Sequence, residues 1–283
     1  MYINVWIREQ QFRMPGIDYP SGGATVLALD LWKKMAPHID CITPDDYLND
    51  YAGYMGLCKA YHRPDNILYI PESRPNGMNG RHLLCALEKH ELSSIHCFGI
   101  DSIHNGAGEL LPDARDFKDT VTILSNMKPL IEKYQGTGKL HAIAQYEGMD
   151  NQFIDFGDYI GRAAFLNSIG DEPYIHLDSH HYEEEYLNSK GIGLIVYEGD
   201  GVFYLAGRGY KLILMKKTNV NEMSDMIWTY RHLLVRNIPY QCVDEGKFDA
   251  DGRFCVTRKR NGDETDTGVW TEPDVGVVRV EMV

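Results

Sequence analysis

Apolar positions in the first half of the chain fall into short uninterrupted runs separated by stretches of helical repeat. The runs at 2–7, 39–43, 66–70 and 95–100 are rich in Ile, Val and aromatic residues, and each gives way to polar or acidic residues. That pattern predicts four short strands. Between them, Leu27, Leu31 and Met35 recur at helical spacing over 24–36 and predict a helix with one apolar face, stopped by Pro37. Further helices are predicted up to about residue 61, over 81–90 and over 114–134. Four strand–loop–helix units in a row predict parallel pairing, because parallel neighbours need a crossover of that length.

The texture changes at Gln135-Gly136-Thr137-Gly138. Downstream, β-branched and aromatic runs at 192–197, 202–206, 210–215 and 275–280 are separated by Gly and Asp turns, with Glu198-Gly199-Asp200-Gly201 reading as a hairpin. The expectation is two domains, 1–135 of α/β type and 136–283 an antiparallel β-sandwich. The stretch 223–235 fits a helix nearly as well as a strand.

Composition narrows the function classes. At 283 residues and 43% hydrophobic the chain fills real cores, and a formal charge of -13 opposes a nucleic-acid partner, since Arg258-Lys259-Arg260 is too short to reverse it. No apolar run approaches the roughly 18 residues of a membrane span, and the first residues lack the regions of a secretory signal, so a soluble chain without membrane contact is expected. The six cysteines, at 41, 58, 85, 97, 242 and 255, show no C-x-x-C spacing and read as mostly buried thiols.

Candidate chemistry gathers at the strand ends. In a parallel barrel the loops after the strands share one face, so Trp6, Arg8, Asp45, Tyr47, Glu72, Arg74 and Asp101 are expected to converge. An aromatic platform with carboxylates and cations is the equipment needed to hold a sugar ring and cleave its glycosidic bond. Glu72 stands out because it closes the run N-I-L-Y-I-P-E-S, with Arg74 and Tyr47 near enough to orient it. The bland alternative is that these residues end strands and cap helices.

Other motifs are weaker. His176, Asp178, His180 and His181 have no repeating metal-ligand spacing, so no metal is expected. Gly207-x-Gly209 lies between two strands and opens no helix, which argues against a dinucleotide, and no cofactor is expected. Asp249-x-Asp251-Gly252 lacks the remaining ligands of a calcium loop and reads as a hairpin turn. Asp263, Glu264 and Asp266 read as a solvated acidic loop or a contact with the first domain.

The succession N-V-W-I (4–7), Y-P-S-G-G (19–23), A-P-H-I-D (36–40), T-P-D-D-Y-L (43–48), I-P-E-S-R (70–74) and F-G-I-D (98–101) resembles the later half of the catalytic barrel in glycoside hydrolase family 35 β-galactosidases of the bacterial type. Y-Q-G-T-G-K (134–139), G-R-G-Y (207–210) and N-G-D-E-T-D (261–266) resemble the β-rich domain that follows that barrel. The resemblance implies a partial (β/α)8 TIM barrel, the last four βα units, and a retaining mechanism with two glutamates after the fourth and seventh strands. It makes Glu72 the nucleophile, Tyr47 its hydrogen-bond donor, and Asn4, Trp6 and Asp101 the lining of a galactose subsite. The chain carries Asp46 where such relatives often have isoleucine.

On the same resemblance the first run is the fifth barrel strand, so the acid/base glutamate is expected on an N-terminal half-barrel outside the sequence. The expectations are a truncated or split hydrolase of β-galactosides, inactive alone, or a non-catalytic carbohydrate-binding or structural remnant. A complete small open-sheet domain is disfavoured because no phosphate-binding Gly-rich turn is present.

Overall fold

The computed structural model describes residues 1–7, 14, 16–17, 23–168, 184–217, 240–265 and 268–283. Arg8, the His176–His181 group, the ambiguous 223–235 stretch and Asp266 lie outside the described residues. Helix and sheet are mixed, with parallel pairs early and two antiparallel sheets later. The chain divides into two compact units, Met1–Lys118 and Asp119–Val283.

In the first unit, β1 (Tyr2–Trp6) pairs in parallel with β2 (Cys41–Asp45), Asn4 opposite Thr43 and Trp6 opposite Asp45. The second strand thus starts and ends two residues later than the apolar run at 39–43. β3 (Tyr69–Ile70) pairs in parallel with β4 (Ser94–Ile95). Between β2 and β3 the Asn66 side chain completes the ladder: Oδ1 accepts from Ile42 N–H at 2.8 Å and Nδ2 donates to the Ile42 carbonyl at 2.9 Å. The same amide nitrogen donates to the Tyr61 carbonyl at 2.8 Å, tying down the helix end before the strand.

The connecting helices are α1 (Leu29–Met35), α2 (Tyr51–Tyr61) and α3 (Gly77–His90). Asp50 caps α2 by accepting from Gly53 N–H, and Asn76 caps α3 by accepting from Asn79 N–H, the service Asp and Asn give at helix starts. Ile42, Tyr54, Cys58, Tyr61, Leu68, Ile70 and Leu84 are buried. Two expectations are corrected. The face carrying Leu27, Leu31 and Met35 is exposed and Leu29 is the buried residue, because residues 26–28 form a 3-10 turn that shifts the phase of the helix. The run at 95–100 is a strand only at its start; Gly99 adopts φ +69, and the chain turns into a 3-10 helix at Ile100–Ser102 with Phe98 exposed.

Helix α4 (Pro112–Tyr134) leads into the second unit. One sheet there is β13 (Val269–Trp270), β10 (Tyr210–Lys216), β7 (Tyr159–Phe165) and β6 (Asn151–Asp155), in that order. The other runs β12 (Phe254–Lys259), β11 (Tyr240–Phe248), β14 (Val277–Met282), β9 (Val202–Arg208), β8 (Ile192–Gly199) and β5 (Leu140–Ala144). Phe165, Tyr210 and Leu212 from the first join Ile195, Phe203, Leu205 and Val280 from the second in one core. The β8–β9 turn matches the hairpin expectation, with Asp200 and Gly201 at positive φ.

The Gly207-Arg208-Gly209 motif is a packing device. Gly193 stands opposite Gly207, and a Cβ on Gly207 would lie 2.3 Å from the Ile192 carbonyl and 2.7 Å from the Tyr210 ring. Arg208, only 1% exposed, donates to Asp119 at 2.5 Å and to the Lys190 carbonyl at 2.8 Å. The acidic-loop expectation is corrected at Glu264, while Asp263 is exposed. Glu264 is buried, closes a capping box with Asn261 and pairs with Arg258. All six cysteines are free thiols, but only Cys58 and Cys85 are buried; Cys41, Cys97 and Cys242 are partly exposed and Cys255 is exposed.

Candidate functional site

Glu72 follows β3 by two residues, and its backbone is held from both flanks. Its carbonyl accepts from Asp46 N–H at 2.9 Å, just past the end of β2, and the next carbonyl, that of Ser73, accepts from Phe98 N–H at 2.9 Å beyond β4. Ser73, buried, donates its hydroxyl to the Asp46 carbonyl at 2.7 Å. Three successive strand ends are thereby laced together, which fixes the direction in which the Glu72 carboxylate leaves the chain.

Both carboxylate oxygens have donors from other strand segments, Tyr47 just past β2 and Asn4 within β1. Tyr47 Oη donates to Oε2 at 3.0 Å, and Asn4 Nδ2 lies 3.4 Å from Oε1. The same Asn4 nitrogen is 3.3 Å from each oxygen of Asp45, which is buried at the end of β2. Asn4 therefore bridges two carboxylates. Arg74 does not pair with Glu72 as expected; its guanidinium lies over the Tyr47 ring, 5.7 Å from the centroid, within cation–π range. Trp6 is 41% exposed opposite Asp45. Asp101 is exposed on the 3-10 turn, and no hydrogen bond or ion pair joins it to Glu72, Tyr47 or Asn4.

Of the residues behind this cluster, only Asp46 stands out in the sequence, as a departure from the family pattern. Asp46 is 1% exposed; its Oδ1 accepts from Leu48 N–H at 3.1 Å while Oδ2 is buried with no hydrogen-bond partner. Burial pushes its carboxyl well above the usual range, the Leu48 N–H pulls it back, and the nearby Asp50 charge raises it further. Cys58, facing it from α2, is raised by burial and by Asp46. His82 on α3 is lowered to about 4, first by burial and then by Arg81, against the pull of Asp50. Burial thus disfavours the charged form of all three groups, an interior quite unlike the exposed edge that carries Asn4 and Trp6. The only sequence sign of it is the doubled carboxylate in P-D-D-Y.

Asn79 completes the turn after Glu72: its Nδ2 donates to the Arg74 carbonyl at 2.8 Å. A small cavity lies between Asp46, Tyr47, Ser73, Arg74 and Asn79. Among the described residues, no group of three or more His, Cys, Asp or Glu is placed to hold a metal ion. Among them also, no helix is long and apolar enough to cross a membrane.

A family model described as a domain of unknown function, DUF5597, matches residues 117–272. No curated protein matches the chain.

Proposed function

The chain belongs to the DUF5597 family, whose description states no activity, and from the cluster around Glu72 we propose that the first unit serves in retaining hydrolysis of β-galactosides. On this reading it is the later half of a (β/α)8 barrel, and the second unit is an antiparallel β-sandwich. The observation that carries the reading is the convergence of Asn4, from within β1, and Tyr47, from just past β2, on the Glu72 carboxylate after β3.

The chemistry follows from that placement. The Glu72 carboxylate attacks the anomeric carbon as the bond to the aglycone oxygen breaks, and the leaving oxygen takes a proton from a second carboxyl group. Water, deprotonated by that second group, then attacks the glycosyl-enzyme and restores free Glu72. Tyr47 and Asn4 aim the nucleophile by holding one oxygen each, and Arg74 steadies the Tyr47 ring. The exposed Trp6 offers a flat apolar surface to a pyranose. Asp45 is engaged with Asn4 and buried, so it buttresses the site and does not protonate the aglycone. The second carboxyl, about 5–5.5 Å from the first in retaining enzymes, is assigned to a complementary half-barrel.

Turnover of a chromogenic galactoside tests this. The chain alone is expected to be inactive, and to become active when mixed with a polypeptide carrying the first four strands of a β-galactosidase barrel of this type. Glu72→Gln abolishes that gain. Full turnover by the lone chain contradicts the assignment of the acid, and undiminished turnover in Glu72→Gln contradicts the nucleophile.

A further inference from the structure

In the second unit, α4 and the β11–β12 hairpin enclose a cleft of about 700 Å3, within the range of about 300–1,000 Å3 common to small-molecule sites. One wall is the helix face bearing Ser125 and Glu132; the other is the hairpin from Lys247 to Gly252. Gly252, at φ +74, lets the hairpin tip approach the helix, where a Cβ on it would lie 3.7 Å from Pro129 Cβ.

Three features make the cleft more than a surface dip. Pro129 lies inside α4 and has no N–H, so the Ser125 carbonyl four residues back loses its helical donor at the cleft wall. Lys247 takes part in no ion pair among the described residues, which leaves its ammonium available. Phe248 is half-buried and held by an edge contact to Phe254, 5.5 Å between centroids, and a tilted one to Tyr204 at 6.0 Å, so its ring is a fixed apolar surface.

The charges of the lining select the ligand. An anion meets the carboxylates of Glu132, Asp249 and Asp251, and a cation meets Lys128 and Lys247. A neutral molecule rich in hydroxyls suits both: it donates to the carboxylates and the Ser125 carbonyl, accepts from Lys247, and lays a C–H face on Phe248. We propose that this cleft binds a neutral polyhydroxylated ligand of one or two sugar rings. The site lies wholly in the second unit and does not depend on the hydrolase reading of Glu72.

Ligand-observed NMR titration of the full chain with galactose, lactose and cellobiose tests this, with inorganic phosphate and spermidine as charged probes. At least one neutral sugar is expected to bind. A Lys247→Ala, Glu132→Ala double variant, which removes two exposed side chains, should weaken it at least tenfold with an unchanged unfolding curve, while Lys34→Ala, at an exposed residue of the first unit, leaves it unaltered. The proposal is overturned if no sugar binds at millimolar concentration, if a charged probe is preferred, or if the double variant binds normally. Loss of sugar binding in Glu72→Gln alone would also overturn it, by locating the sugar in the first unit and thereby favouring the hydrolase reading instead.

Discussion

Tyr47 donates its phenolic hydrogen to Oε2 of Glu72 at 3.0 Å, across 25 positions of sequence and from the end of a neighbouring strand. A hydrogen bond to a charged acceptor contributes roughly 1.5–3 kcal/mol, and about 1.4 kcal/mol is tenfold in rate. Tyr47→Phe should therefore lower the turnover of the complemented enzyme by roughly ten- to a hundredfold. Because Tyr47 and Glu72 are both partly open to solvent, stability in urea should change by less than about 1 kcal/mol. Equal losses in both measurements would mean that Tyr47 is only part of the scaffold.

Asp46 gives the first unit an unusual pH dependence. Its carboxyl is raised above the ordinary 3.8 by burial, so the folded chain holds that proton more tightly than the unfolded chain. The stabilisation is complete below about pH 4 and is lost as pH rises through the raised folded value. Urea unfolding of the full chain should thus show stability falling over that interval. Asp46→Asn, which keeps the shape and removes the charge, should flatten the fall and exceed the wild type at pH 8. Parallel pH profiles for the two proteins would contradict the assignment.

Glu245 anchors a buried cation in the second unit. Its Oε1 accepts from Arg258 at 2.7 Å and from Arg260 at 2.8 Å, and the Arg260 guanidinium lies 3.5 Å from the Trp270 ring centroid. Glu245→Ala leaves that guanidinium buried without its carboxylate, a change expected to destabilise by about 3–5 kcal/mol. Arg253→Ala, at a side chain 77% exposed, should fall within about 0.5 kcal/mol. Chemical denaturation of both variants checks this, and similar small effects would refute it.

Much of the scaffold is legible from periodicity. The runs around β1, β2 and β3, the α2 and α4 helices and the β8–β9 hairpin follow from apolar spacing and turn residues. The nearness of Tyr47 to Glu72 follows from their places after successive strands, whereas Asn4, inside β1, is named only by the family resemblance. Periodicity fails where a face is not covered by what lies next in sequence: Leu27, Leu31 and Met35 share helical spacing yet stay exposed. It fails again where one residue changes the backbone, as Gly99 does in turning the chain into a 3-10 helix within the apolar run at 95–100. The buried charges are the least legible. Glu264 reads as solvated because type and spacing do not reveal a partner such as Arg258, and Asp46 differs from a surface aspartate only through the elements folded over it.

The nucleophile assignment can be tested on the chain by itself, because an activated leaving group needs no general acid. Incubation with a 2-deoxy-2-fluoro-β-galactoside bearing dinitrophenolate, followed by proteolysis and mass spectrometry, should find one sugar per chain, esterified to Glu72 and absent from Glu72→Gln. A sugar attached to another carboxylate, or no adduct after prolonged incubation, would contradict the account.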